Sequence, residues 1–296
     1  MITEKTPSLT SVVVALDGEA KCGKTTVADG MREVLSDGNG LHPSIWRPDL
    51  EFSQVASVSA GSMFRTVALY KALVEVGGGS VEEFTSSDSD AIEALLEEPG
   101  IHDVLQRDPN VESQVSIVAQ MAGVQALCGT LFANSVLEAF NHQGGGNLVI
   151  VDARDPVERM ISNGIVGNEA GLIPPGSIVP VYIDTPVEVA AQRLPGGLES
   201  NIFKLRNRRN ADATRAELPV KRPDLLIDDY DEWSKMLLLD DDRDIPLAPY
   251  RLDNGEDMPL DDLRLFNKSV TSLTLRLAHR RYMQNQPESV LSTISR

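Results

Sequence analysis

The chain has 296 residues, 42% of them apolar, with 44 acidic against 27 basic side chains, a net charge of −17 and a pI near 4.6. That length and composition suit one large or two modest soluble globular domains. The acidic balance argues against nucleic acid or an anionic membrane as a partner, so a nucleotide site would have to gather its Arg and Lys locally.

The first apolar run, Val12 to Asp17, has strand length. Gly18-Glu19-Ala20-Lys21-Cys22-Gly23-Lys24-Thr25-Thr26 follows, and apolar residues then recur at helical spacing to Leu35. The middle stretch fits G-x-x-x-x-G-K-[ST], the P-loop, in the strand–loop–helix context the motif requires. Four fixed positions match by chance in on the order of one per cent of chains this long. Backbone N–H groups of residues 18–26 are expected to wrap phosphates, and the helix N-terminus adds a favourable dipole. Lys24 would place its charge on the β- and γ-phosphates and Thr25 its hydroxyl on Mg²⁺. Cys22 reads as a tolerant loop position, with a reactive thiol beside Lys21 as the alternative.

Ser36 to Gly40 is a turn-rich stop, and residues 41–54 read as loop. Gln54 to Ser59 is the next candidate strand, broken by Ala60-Gly61. A helix marked by Met63, Val67, Leu69, Tyr70, Leu73 and Val74 runs to Gly77, with Arg65 in its first turn. A cation there opposes the helix dipole and suggests an anionic ligand. Residues 80–108 are acidic and read as an insertion or small lobe, with a helix at Asp90 to Glu97. Val111 to about Phe140 is helix-rich.

Leu148 to Asp152 and Val179 to Asp184 are continuous apolar runs ending in an acid, as buried parallel strands do. Asp152 is a candidate Mg²⁺ ligand or the cap of the next turn. A helix from Pro186 to about Leu194 follows the second run. Residues 198–222 carry Lys204, Arg206, Arg208, Arg209, Arg215, Lys221 and Arg222, the most basic stretch of the chain. Asp224 to Asp228 reads as a further strand, and Asp261 to about Tyr282 as a closing helix. Tyr250 to Asn254 is the competing last strand, in which case 216–247 would be an enlarged lid; the first assignment is preferred. Strands alternating with helices predict an α/β fold of the P-loop NTPase type, a parallel sheet flanked by helices. Two distant cysteines, Cys22 and Cys128, no visible leader and no span of transmembrane length give a cytoplasmic expectation without a membrane partner.

With these pieces placed, the chain resembles the bacterial cytidylate kinases, which are nucleoside monophosphate kinases, from about Val12 to Asp228. Asp17-Gly18 opens the P-loop, and Ala60-Gly61-Ser62-Met63-Phe64-Arg65 is similar to S-G-A-x-Y-R. Ser116 to Ala119 is similar to S-x-V-A, and Asp152-Ala153-Arg154-Asp155 to D-G-R-D. Arg208, Asp212, Arg215 and Pro219 keep the lid spacing R-x-x-x-D-x-x-R-x-x-x-P. The resemblance implies a kinase domain over 1–228, with its core at 12–75 and 111–228. A monophosphate-binding lobe would lie at about 76–110 and a lid at about 196–222. Residues 229–296 would be an extension or the end of the core.

The resemblance also implies the chemistry: ATP and Mg²⁺ as cofactors, and phosphorylation of a pyrimidine monophosphate, CMP or dCMP. Lys24, Arg154, Arg208 and Arg215 would be catalytic. Arg65, Ser116, Gln125, Arg154, Asp155, Asp212 and Arg215 would bind the acceptor, and Thr25 and Asp152 the metal. The partners would be small nucleotides only, and a monomer is expected. Four positions depart from the pattern. Ala60 replaces a serine, Phe64 a tyrosine, Gln125 an arginine and Ala153 a glycine. They leave open a related kinase with another acceptor, or a nucleotide-binding regulatory module without transfer activity.

Overall fold

Strand β1, Val12–Asp17, is buried along its whole length, because its apolar side chains alternate between two covered faces. The structure is a computed structural model and describes residues 10–37, 52–81, 84, 86–98, 100, 109–121, 123–142, 146–214, 222–239, 248–254 and 260–284. The chain divides into two compact units, Met1–Ser57 with Leu137–Arg296, and Val58–Val136.

The first unit holds a parallel sheet. After β1 come α1 (Lys24–Asp37), β2 (Gln54–Ser59), α2 (Ala60–Val76), α3 (Ser86–Glu97), α4 (Pro109–Val118) and α5 (Val124–Asn141). Then follow β3 (Asn147–Asp152), α6 (Pro156–Ser162), β4 (Ile178–Asp184), α7 (Val187–Gln192) and α8 (Leu198–Ala213). The chain closes with α9 (Tyr230–Leu239), β5 (Tyr250–Asp253) and α10 (Leu260–Gln284). The strands stand in the order β2-β3-β1-β4-β5. Parallel register sets Leu16 beside Asp152, Asp17 beside Tyr182, and Asp184 beside Asp253. Four strand ends carrying acids therefore share one carboxyl edge.

One face of the sheet presents Val12, Val14 and Leu16 with Leu148, Ile150, Val179, Val181 and Ile183. Val27 and Met31 of α1, Trp233 and Leu237 of α9, and Val270, Leu273 and Leu277 of α10 complete that core. Helix α1 packs on α10, and α6 packs on β1. The connection leaving β1 leads towards β2 and that leaving β4 leads towards β5, so they diverge. Between β1 and β4 lies the switch point at which sheets of this kind leave a crevice.

In the second unit α2 packs against α3 and α4. Tyr70 donates its hydroxyl to Asp88 Oδ1 at 2.5 Å, and its ring lies 6.4 Å from that of Phe84. Met63, Phe64, Val67, Ile92 and Val118 are buried there.

Three sequence expectations are corrected. The last strand is Tyr250–Asp253; within 224–228 the backbone pairing with the sheet is an isolated bridge from Ile227 to Tyr250. Residues 224–228 are no poorer in apolar side chains than Tyr250–Asp253, but Asp224, Leu225 and Asp228 are exposed. Helix α2 begins at Ala60, so Arg65 lies in its second turn and the dipole argument for an anion there lapses. Cys22 is a loop residue as expected, but its side chain is buried in the main core at 1% exposure, so the position is not a tolerant one and the thiol is not accessible. Among the described residues, no helix is long and apolar enough to cross a membrane.

Candidate functional site

The loop between β1 and α1 turns at two positions that need glycine. Gly18 has φ +138°, and a Cβ there would lie 2.5 Å from the Ile183 carbonyl oxygen and 2.6 Å from Cys22 Sγ. Gly23 has φ +103°. Lys21 also adopts a left-handed conformation, φ 62°, which is costly for a residue with a Cβ. The loop thus presses its backbone against the end of β4 and leaves its outer rim as peptide groups.

Lys24, the first residue of α1, folds back over this rim. Its Nζ donates to the Gly18 carbonyl at 2.7 Å and to the Glu19 carbonyl at 3.2 Å, and stands 3.6 Å from Cys22 Sγ. Thr25 Oγ1 donates to Asp152 Oδ2 at 2.9 Å, across 127 residues of sequence. The β1–β3 register brings these two together at the carboxyl edge.

Asp17 supports the loop from below. Its Oδ1 accepts from the Gly18 N–H at 2.6 Å and from the Asp155 N–H at 3.1 Å. Burial pushes its carboxyl up to about 6, against the opposing pull of those N–H groups and of Lys24. Asp155 sits in a left-handed conformation at the start of α6. Burial, then the charges of Asp17 and Glu158, push its carboxyl up to about 7. Arg159, 3% exposed, donates from Nε to the Arg154 carbonyl at 2.8 Å and braces the same turn.

Three guanidinium groups face a cleft of about 230 Å³ beside the loop, lined also by Asp17, Gly18 and Tyr182. Arg154 is paired with Asp212, and Arg209 with Glu19. Arg222 Nη2 reaches Asp184 Oδ2 at 2.8 Å. Asp184 also accepts from Arg251 Nε at 2.8 Å, so one carboxylate serves two cations. The Tyr182 hydroxyl is pushed above its ordinary value by burial and by the acids around it, and it stays neutral.

Of the residues expected from sequence, Gly18 to Thr26 with Asp152, and Arg154 with Asp155 and Asp212, are gathered at this edge. Arg208 lies on α8, half-buried. Arg215 lies outside the described residues. Arg65, Ser116 and Gln125 belong to the second unit. Arg65 is half-buried on α2, and Ser116 lies on α4. Gln125 Nε2 donates to the Ala119 carbonyl at 2.9 Å, while its buried Oε1 has no hydrogen-bond partner among the described residues. Sequence reasoning singled out neither Tyr182, Thr185, Asn254 nor the roles of Arg209 and Arg222. The i, i+3 spacing of Arg209 and Asp212 on α8 was a usable signal, since it puts a cation and an acid on one helical face.

A lysine at a helix N-terminus, a hydroxyl–carboxylate pair and three guanidiniums beside a glycine loop can hold a polyanion together with a divalent cation. Among the described residues no three His, Cys, Asp or Glu side chains converge as a metal site. One carboxylate and one hydroxyl still fit Mg²⁺, which takes few protein ligands and completes its shell with phosphates and water.

No protein-family model matches the chain, and no curated protein matches it. Among solved structures the chain is similar to the "Crystal structure of TT1252 from Thermus thermophilus" at 14% identity and a TM-score of 0.36, over 88% of this chain and 96% of that one. A likeness at that level decides neither family nor activity.

Proposed function

We propose that this chain is a P-loop phosphotransferase that moves the terminal phosphoryl group of ATP to a pyrimidine nucleoside monophosphate, CMP or dCMP. The observation that carries the reading is the 2.9 Å hydrogen bond from Thr25 to Asp152 at the mouth of the glycine loop. A hydroxyl and a carboxylate brought together there, beside a lysine at a helix N-terminus, match the chemistry of a Mg²⁺-bound triphosphate.

The work of this chain's own residues follows from charge. Transfer between two polyanions needs alignment and neutralisation more than it needs a general base. Lys24 would exchange the Gly18 and Glu19 carbonyls for phosphate oxygens. Arg154, Arg209 and Arg222 would exchange Asp212, Glu19 and Asp184 for phosphates, so the carboxylates act as stand-ins that keep the cations placed. Mg²⁺, held by Thr25 and Asp152, would neutralise charge on the transferring group.

The test is ADP release with CMP, dCMP, UMP or AMP as acceptor, for the wild type and for Lys24→Ala. Stimulation by CMP or dCMP that disappears in the variant is expected; no stimulation by any monophosphate sinks the kinase reading. One observation favours a second reading, nucleotide binding without transfer: each of the three cleft arginines is already held by a carboxylate of this chain. ATP binding with no acceptor-dependent turnover would select it.

A further inference from the structure

The carbonyl of Cys22, inside the glycine loop, accepts two hydrogen bonds from outside the motif. Asn254 Nδ2, one residue past β5, donates at 2.7 Å, and Thr185 Oγ1, one residue past β4, donates at 3.1 Å. Both donors are themselves fixed. Thr185 is 3% exposed. The Asn254 backbone N–H donates to the Asp184 carbonyl at 2.8 Å, and Arg193 Nη2 donates to Asn254 Oδ1 and to its carbonyl, each at 3.2 Å. A guanidinium can only donate, so Oδ1 must face Arg193 and Nδ2 must face Cys22; the amide has one orientation. Gly23 makes room for it, since a Cβ at that position would lie 2.9 Å from Asn254 Nδ2.

In a planar trans peptide the N–H points opposite to the C=O. Two donors at the ends of β4 and β5 hold the Cys22 carbonyl, and the N–H of Gly23 is turned the other way. We propose that Asn254 and Thr185 are positioning residues that lock the Cys22–Gly23 peptide with its N–H towards the bound phosphates. The inference rests on the proposed nucleotide function and deepens it, by naming the side chains outside the motif that set the cradle. Without them the peptide can flip and present a carbonyl oxygen to an anion. Preorganised N–H donors act on charge only when they need no reorganisation.

The test is calorimetric titration of the full chain with ADP in Mg²⁺ and, separately, with inorganic pyrophosphate, for the wild type, Asn254→Ala and Thr185→Val. Asn254→Ala is expected to weaken both ligands by the same factor, about fivefold to tenfold, and Thr185→Val by about threefold, one lost hydrogen bond each. Thr185→Val keeps the buried shape and answers the question if Asn254→Ala fails to fold. Loss for ADP alone would overturn the inference, because Asn254 would then meet the base or sugar. Unchanged affinity for both ligands in both variants would overturn it as well, leaving the nucleotide reading intact. A wild type that binds neither ligand would overturn the nucleotide reading and the inference with it.

Discussion

Replacing Asp17 by asparagine should stabilise the protein at neutral and alkaline pH and leave it nearly unchanged in acid. Asp17 is 8% exposed, and its folded-state value stands at about 6 against an ordinary 3.8. Between those two values the folded state binds more protons than the unfolded state, so stability falls as pH rises through that window and the full cost is present above it. Each pH unit is worth about 1.4 kcal/mol, so ionised Asp17 costs on the order of 3 kcal/mol. Both of its hydrogen bonds end on Oδ1, which an asparagine retains. The charge assistance in those bonds is already contained in the value of about 6, so the net gain is about 3 kcal/mol at about pH 8. That gain should raise the melting temperature by about 5 °C. The assay is thermal unfolding of both proteins in steps from about pH 4 to pH 8. A second readout is the carboxyl titration of Asp155, which should shift down once the Asp17 charge is gone, because that charge helps to raise it. An equal gain at every pH, or no gain at about pH 8, would refute the claim that Asp17 is a desolvated carboxylate.

Gly18→Ala forces a Cβ to within 2.5 Å of the Ile183 carbonyl oxygen at φ +138°. It should cost about 3 kcal/mol or more in chemical denaturation, and a cost under about 1 kcal/mol would contradict the close approach of loop to strand. Arg154→Ala removes the cation paired with Asp212, a carboxylate 5% exposed. It should destabilise the fold by about 3 kcal/mol, and the double variant Arg154→Ala/Asp212→Ala by less than the sum of the two single changes, measured in a double-mutant cycle.

What could be read from the sequence was local or strongly patterned. The glycine loop lies between a six-residue strand and its helix, so chain adjacency alone assembled Gly18 to Thr26. Asp152 and Asp184 were visible as acids closing apolar runs, and parallel register then brought them to the same edge as the loop. Non-local pairing was invisible. Residues 224–228 and 250–253 both mix apolar side chains with a closing acid, and pairing with β4 distinguishes the true strand. The start of α2 was misplaced because Gly61 suggested a break, while Ala60 is a strong helix former. The burial of Cys22 comes from the curl of the loop against β4, which no periodicity records. Thr185 and Asn254 look like ordinary polar residues after a strand, and their convergence on the Cys22 carbonyl is a tertiary fact.

The central claim, that Thr25 and Asp152 prepare the glycine loop for a metal-bound polyphosphate, is tested most directly by titrating wild type and Asp152→Asn with a non-hydrolysable ATP analogue, with and without Mg²⁺. The account predicts that Mg²⁺ strengthens binding to the wild type by about tenfold or more, and that the variant loses most of this gain while its metal-free affinity stays within about twofold. Binding that ignores Mg²⁺ in the wild type, or the same Mg²⁺ response in both proteins, would contradict it.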